Sequence, residues 1–146
     1  MFKTLKRNIK KMFRELLVYH NSSLEFRAKL LTLMISSNGE ISECEKRQLE
    51  TIAHSIYSEN QERAELLIDT IYEYHMKIVT NNGLNFEHLI AQVNREIREV
   101  RRFCNKIDIA FLLKLHECME ERSEEERLFQ LRIIEFLQTL KAECSA

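Results

Sequence analysis

Apolar residues recur every three to four positions along most of the chain, which is the spacing of residues on one face of an α-helix. In segment 86–104 the intervals alternate between three and four and define a narrow stripe that faces one neighbour. Proline is absent and glycine occurs only twice, so few residues interrupt a helix. The pattern predicts an all-α fold, a compact bundle of about seven helices. The stripe consists of Phe86, Leu89, Ile90, Val93, Ile97, Val100 and Cys104.

The chain has 146 residues, the usual size of one domain. We expect a single domain over 1–146, in which two helical hairpins at 24–57 and 107–141 flank central helices at 60–104. Helical hairpins of this kind bury their apolar faces against one another and against the helices between them. The predicted architecture is therefore a bundle built from two degenerate hairpins.

Residues 2–20 predict a basic amphipathic helix that precedes the first hairpin. Six lysines and arginines stand against the single acidic residue Glu15 in this segment, an imbalance that the rest of the chain does not share. Three interpretations stay open: the apolar stripe packs on the domain, lies on an anionic membrane surface, or binds a protein partner. The interaction surface would consist of Phe2, Leu5, Lys6, Ile9, Lys10 and Phe13.

An internal repeat relates the two hairpins. When the chain is compared with itself at a shift of about 80 positions, Ser42 and Glu45 fall on Ser123 and Glu126. Ser42 and Glu45 have the spacing of a capping box, which starts a helix. The apolar positions also match: Leu30, Leu31 and Met34 fall on Phe111, Leu112 and Leu115, and Ile52, Ala53 and Ile56 fall on Ile133, Ile134 and Leu137.

The first repeat unit resembles the TerB-like family, which includes tellurite-resistance TerB proteins and the N-terminal region of DjlA-type co-chaperones. The family motif reads roughly Asp-Gly-x-x-Ser-x-x-Glu. Gly39, Ser42 and Glu45 keep it, Asn38 replaces the aspartate, and in the second unit Met119 and Glu120 replace the aspartate and the glycine. The segment that carries the resemblance reads Asn38-Gly39-Glu40-Ile41-Ser42-Glu43-Cys44-Glu45.

The resemblance implies a fold and a function. The fold is an all-helical domain with a duplicated hairpin, and the function is a non-catalytic protein-interaction module in stress-response or chaperone-associated assemblies of the bacterial cytoplasm. The partner is an unidentified protein, and the sequence does not specify the oligomeric state. Two alternatives stay open: a divalent-metal-binding stress protein of the tellurite-resistance type, and a peripheral membrane adaptor anchored through residues 2–17.

The metal alternative depends on oxygen ligands in the motif segment. Carboxylate and amide oxygens are the ligands that hard divalent cations prefer, and Asn38, Glu40, Glu43 and Glu45 supply them. The segment does not fit the twelve-residue calcium loop, because Met34 would stand at the position of its first aspartate. The sequence therefore predicts at most a weak divalent cation site and no other cofactor.

Neither catalytic nor nucleic-acid-binding patterns stand out. The five histidines lack the His-Glu-x-x-His spacing of a zinc site, and no glycine-rich phosphate loop occurs, so we expect no enzymatic activity. The formal net charge is −1, and we expect the basic stretch 95–106 to lack exposed aromatic residues for base stacking, so we expect no nucleic-acid partner. The acidic run 117–126 is interpreted as a solvated helix junction or as a docking face for a basic partner.

The cysteines and the lack of targeting signals predict a compartment. Cys44, Cys104, Cys118 and Cys144 are widely spaced without a Cys-x-x-Cys pair, which is typical of neither a zinc knuckle nor a small disulfide framework. We therefore expect free thiols in a reducing compartment. No apolar run reaches the length of a membrane span, and the N-terminal stretch lacks the features of a signal peptide. The predicted localisation is cytoplasmic.

Overall fold

α-Helices account for most of the residues that the computed structural model describes, which are 22–36 and 39–145. The helix predicted at 2–20 and its interaction residues lie outside them. No strand occurs in the described ranges, so the predicted all-α class is confirmed. The helices are α1 (Ser22–Ile35), α2 (Glu43–Ile56), α3 (Gln61–Val79), α4 (Phe86–Glu99), α5 (Ile109–His116) and α6 (Glu124–Ser145), with short 3-10 helices η1 (Arg101–Lys106) and η2 (Glu117–Met119).

Polar side chains and left-handed residues set the helix ends. The capping box predicted at Ser42 is present, with the Ser42 side chain accepting from the Glu45 amide and the Glu45 side chain accepting from the Ser42 amide. Asn81 and Gly83 have φ values of 53° and 87° after the end of α3, a conformation that a helix does not continue through. The side chains that cap α3, α4 and α5 belong to Asn60, Asn85 and Asp108.

The two hairpins pack against each other reciprocally. The first helix of the first hairpin, α1, contacts the second helix of the second hairpin, α6, while α2 contacts α5. This exchange is what a two-fold relation between similar units produces. Matched repeat positions are buried in both copies, as Met34 and Leu115 illustrate at 0 % exposure. The repeat found in the sequence therefore corresponds to paired units in the structure, and one hydrophobic core runs through all six helices.

The helices run between two ends of the bundle. One end, the motif end, carries the α1–α2 connection and the segment that joins α5 to α6. His75, close to the end of α3, contacts Ser36 there. The opposite end, the basic end, carries the start of α1, the end of α2, and η1. Lys141, close to the end of α6, donates to the Ile107 carbonyl at that end.

All four cysteines are paired, so the prediction of free thiols is wrong. Cys44 and Cys118 join at the motif end, and Cys104 and Cys144 join at the basic end. Their Cα atoms lie 5.6 Å and 5.9 Å apart, within the usual range for disulfides. Sequence separations of 74 and 40 explain the error, because pairing over such distances depends on the fold and not on local spacing.

None of the described helices is long and apolar enough to cross a membrane.

Candidate functional site at the junction of the two repeat loops

Glu45 is the buried centre of the first repeat loop. Its Oε1 accepts from the Ser42 amide at 3.1 Å, and the residue has no solvent exposure. Burial raises the pKa of its carboxyl group, while the Ser42 hydrogen bonds and Arg122 act in the opposite direction. A carboxylate in this position starts α2 and meets the positive end of the helix dipole. Glu45, the acid that ends the motif, is therefore already engaged in contacts that stabilise the fold.

Arg122 connects the two repeat loops. Its Nη2 donates to the Glu40 carbonyl oxygen at 3.2 Å and to Glu45 Oε1 at 3.4 Å. Its Nη1 lies 3.9 Å from Glu126 Oε2. Glu45 and Glu126 are the matched glutamates of the repeat. The guanidinium group of Arg122 supplies the positive charge between them. Sequence analysis missed this residue because it falls on Ile41 in the repeat alignment.

Gln130 ties the second hairpin to the end of α1. The side chain is fully buried, and its Nε2 donates to the Met34 carbonyl at 2.8 Å. Its Oε1 lies 2.8 Å from His116 Nδ1. The last carbonyls of a helix have no partner within the helix, so Gln130 satisfies one of them from the neighbouring unit. The repeat alignment pairs Gln130 with the apolar Leu49, which gave no signal of a polar bridge.

His75 supports the same region from α3. Its Nδ1 lies 2.9 Å from Ser36 Oγ, and the residue is 4 % exposed. Burial lowers the pKa of the imidazole, and a backbone hydrogen bond with Gly39 opposes that shift. The neutral ring therefore holds both the last turn of α1 and the start of the loop.

The predicted metal ligands do not come together among the described residues. Glu45 is buried in the capping box, whereas Glu40 and Glu43 are exposed, and Glu43 lies 3.4 Å from Lys46. Residues two apart on a helix point about 200° apart, which explains why Glu43 and Glu45 diverge. Within 22–36 and 39–145, no three His, Cys, Asp or Glu residues are grouped to hold a metal ion. Asn38 lies outside these ranges, so its part in a site stays a prediction.

An open cleft of about 580 Å³ lies across the two repeat loops. Its walls come from the start of α2 on one side and from η2 and the segment after it on the other. The Cys44–Cys118 disulfide joins the two walls. Four carboxylates and two guanidinium groups line it, so the cleft is acidic. The lining residues are Ser42, Glu43, Cys44, Arg47, Glu117, Cys118, Glu120, Glu121 and Arg122.

A scan against protein-family models, a search of curated proteins and a search of solved structures found no match to the chain. The resemblance to the TerB-like family therefore rests on the motif at 38–45 and on the repeat, and it stays a prediction. What the structure adds is the arrangement of the two repeat loops. They lie side by side, joined by a guanidinium group and by a disulfide.

Proposed function

We propose that the chain is a non-catalytic protein-interaction module of the TerB-like type, which binds a basic segment of a partner protein in the acidic cleft. The observation that carries this proposal is the cleft itself, which lies between the two halves of the repeat. Glu117, Glu120 and Glu121 are exposed on one wall. The partner belongs to a stress-response or chaperone-associated assembly, as the family resemblance implies.

The size and stiffness of the cleft support this proposal. Clefts that bind small molecules measure roughly 300–1,000 Å³, and the volume of about 580 Å³ falls within that range. The two walls are joined by the Cys44–Cys118 disulfide and by Arg122. A preformed site loses less conformational entropy on binding than a flexible one, and an acidic surface accelerates encounter with a basic partner.

The surroundings of the histidines support a non-catalytic role. His75 and His116 are engaged with Ser36 and Gln130, and His54 lies 3.4 Å from a carboxylate on its own helix. None of them lines the cleft. A general base must reach the proton that it removes, and no described histidine is placed to do so in this cleft.

The binding proposal is tested with a labelled peptide of eight lysine and arginine residues. We expect the Glu117→Gln, Glu120→Gln, Glu121→Gln variant to bind it at least about tenfold more weakly than the wild type, with a difference that shrinks at high salt. The control variant changes three exposed glutamates outside the cleft, Glu62, Glu87 and Glu135. Equal weakening in both variants would reject the cleft as the site.

A divalent cation site is the second candidate, because one buried carboxylate oxygen could serve as a ligand. Glu45 Oε2 has no hydrogen-bond partner, and a buried, unpaired carboxylate oxygen is a costly arrangement. A cation that bound here would stabilise the fold by mass action. The measurement is a thermal melt of chelator-treated protein with calcium, magnesium, manganese or zinc. A rise that the Glu45→Gln variant abolishes would favour this candidate.

The two disulfides indicate the redox state of the compartment in which the chain works. Disulfides persist in oxidising compartments and are rare in the cytosol, so we infer that the chain works in an oxidising environment and not in the cytoplasm that the sequence predicts. Mass spectrometry after alkylation of the native protein, without reductant, tests this inference. Four modified cysteines in protein taken directly from its cells would reject it.

A further inference from the structure

Four cations from separate elements converge at the basic end of the bundle. Arg27 belongs to α1, Arg63 to α3, and Arg102 and Lys106 to η1. Arg27 and Lys106 line one pocket, and Arg27 and Arg63 contact one Tyr57 ring. Repulsion from all three arginines lowers the pKa of Lys106, after the larger effect of burial. We call these four residues the basic cluster. It lies at the opposite end of the bundle from the acidic cleft.

Tyr57 holds two members of the basic cluster together. The Arg63 guanidinium carbon lies 4.7 Å from the centre of the Tyr57 ring, and that of Arg27 lies 5.6 Å from it. Arg27 Nη1 also donates to Tyr57 Oη at 3.3 Å. Both guanidinium groups are therefore stacked on one aromatic ring, a cation–π arrangement that orders them.

Within the described residues, no ion pair balances the charge of the basic cluster. In the part of the chain that the structure describes, none of its four members forms an ion pair with a carboxylate. Arg63 Nε is buried without an acceptor. The adjacent carboxylate, Asp108, accepts from the Phe111 amide at 3.4 Å and so caps α5. Burial lowers the pKa of Lys106, and the three arginines lower it further.

A small pocket opens beside the basic cluster. Its volume is about 50 Å³. One water molecule needs roughly 10–15 Å³ of cavity volume on the same measure, so the pocket has room for several water molecules or for one oxyanion the size of phosphate. Polar groups of Arg27, Asn105, Lys106 and Asp108 line one side. The other side is apolar and consists of Leu30, Leu31, Ile52, Ile56, Phe111 and Leu112.

We propose that the basic cluster binds a phosphoryl group, either as free phosphate or as the phosphomonoester of a lipid headgroup. Guanidinium groups match the oxygens of phosphate in pairs, and lysine adds a compact positive charge. A doubly charged anion would supply a counter-charge to the basic cluster, two members of which, Arg27 and Lys106, line the pocket. This proposal does not depend on the function proposed for the acidic cleft.

The experiment has two arms, both carried out on the full chain at constant ionic strength. In the first arm, sodium phosphate replaces sodium chloride in a thermal melt. At ten times the Kd we expect the melting temperature to rise by about 4 °C. In the second arm, sedimentation measures binding to phosphatidylcholine vesicles with and without phosphatidic acid. A response in the first arm identifies the source as free phosphate, and a response in the second arm alone identifies a lipid headgroup.

The variant is Arg63→Gln, Lys106→Gln, and the control is Arg132→Gln, which changes an exposed arginine on α6. We expect the double variant to lose the response in whichever arm the wild type shows it, and the control to keep it. In chloride alone the double variant loses the Arg63–Tyr57 contact as well as like-charge repulsion, so the response of each protein is measured from its own melting temperature in chloride. No response in either arm, or a response that the double variant retains, would overturn the proposal.

Discussion

The two ends of the bundle treat charge in opposite ways. At the motif end, Arg122 lies between Glu45 and Glu126, and the capping box satisfies the first amides of α2. At the basic end, Arg63 and Lys106 belong to a cluster of cations that no described carboxylate pairs. The first arrangement stabilises the fold, and the second adds repulsion to it. The comparison shows that the buried acid of a recognisable motif can be engaged in contacts that stabilise the fold, while a cluster of like charges can form where no motif is visible.

The largest effect should come from removing a disulfide, of which each end has one. Because the stabilisation depends on the logarithm of the loop length, the Cys44→Ser, Cys118→Ser variant and the Cys104→Ser, Cys144→Ser variant should each lose about 4 kcal/mol of unfolding free energy. Urea denaturation without reductant measures both losses. A loss at one end only would show that the other pair of cysteines is not bonded in the native protein.

Gln130→Leu should give the next largest effect. The change removes the two hydrogen bonds that join buried Gln130 to the Met34 carbonyl and to His116, so we expect a loss of about 2 kcal/mol. Gln138→Leu is the matched control, because Gln138 is exposed on the same helix. Its unfolding free energy, measured in the same urea titration, should change by less than about 0.5 kcal/mol. Equal values for the two variants would contradict a bridge between the hairpins.

Arg122→Gln tests the charge balance of the motif end directly. It removes the guanidinium group that faces Glu45 and Glu126, and we expect a loss of about 1.5 kcal/mol. Arg47→Gln removes an arginine from the same cleft, but this side chain has no ion pair among the described residues, so its effect should be near zero. If chemical denaturation finds both variants equally stable, Arg122 does not connect the repeat loops energetically.

The buried pair of His75 and Ser36 predicts that the unfolding free energy depends on pH. Burial lowers the pKa of His75 below its ordinary value of 6.5, so the unfolded state takes up a proton first as the pH falls. The stabilisation that the neutral ring provides is complete above 6.5 and declines as the pH falls from there through the lowered pKa. Urea titrations at pH 7.5 and 5.5 measure this decline. It should be smaller in His75→Gln, and an unchanged decline would exclude His75 as its source.

The smallest effect is expected at the basic end. Lys106→Gln removes one member of the basic cluster, and at low ionic strength it should raise the unfolding free energy by a few tenths of a kcal/mol, roughly. Because salt screens exposed charges, the gain should vanish at high ionic strength. Lys114→Gln, an exposed change on α5, should show no such salt dependence. A loss of stability in Lys106→Gln would mean that a counter-charge is already present.

The repeat alignment predicted the parts of the motif end where the two copies are alike. It paired Ser42 with Ser123, and both hydroxyl groups accept from an amide three residues later. It missed Arg122 and Gln130, which fall on Ile41 and Leu49. The physical reason is that similarity reveals what each hairpin needs for its own folding. The contacts that join the hairpins are made by residues in which the copies differ.

The sequence by itself determined the helices, most of their caps and the faces that they bury, because each depends on residues a few positions apart. Only the tertiary structure decided which cysteines pair and which charges meet. The basic cluster illustrates this division, since Arg27, Arg63 and Lys106 lie tens of residues apart and share no pattern. Their convergence depends on how the ends of α1, α3 and η1 pack together, and a local periodicity carries no information about that packing.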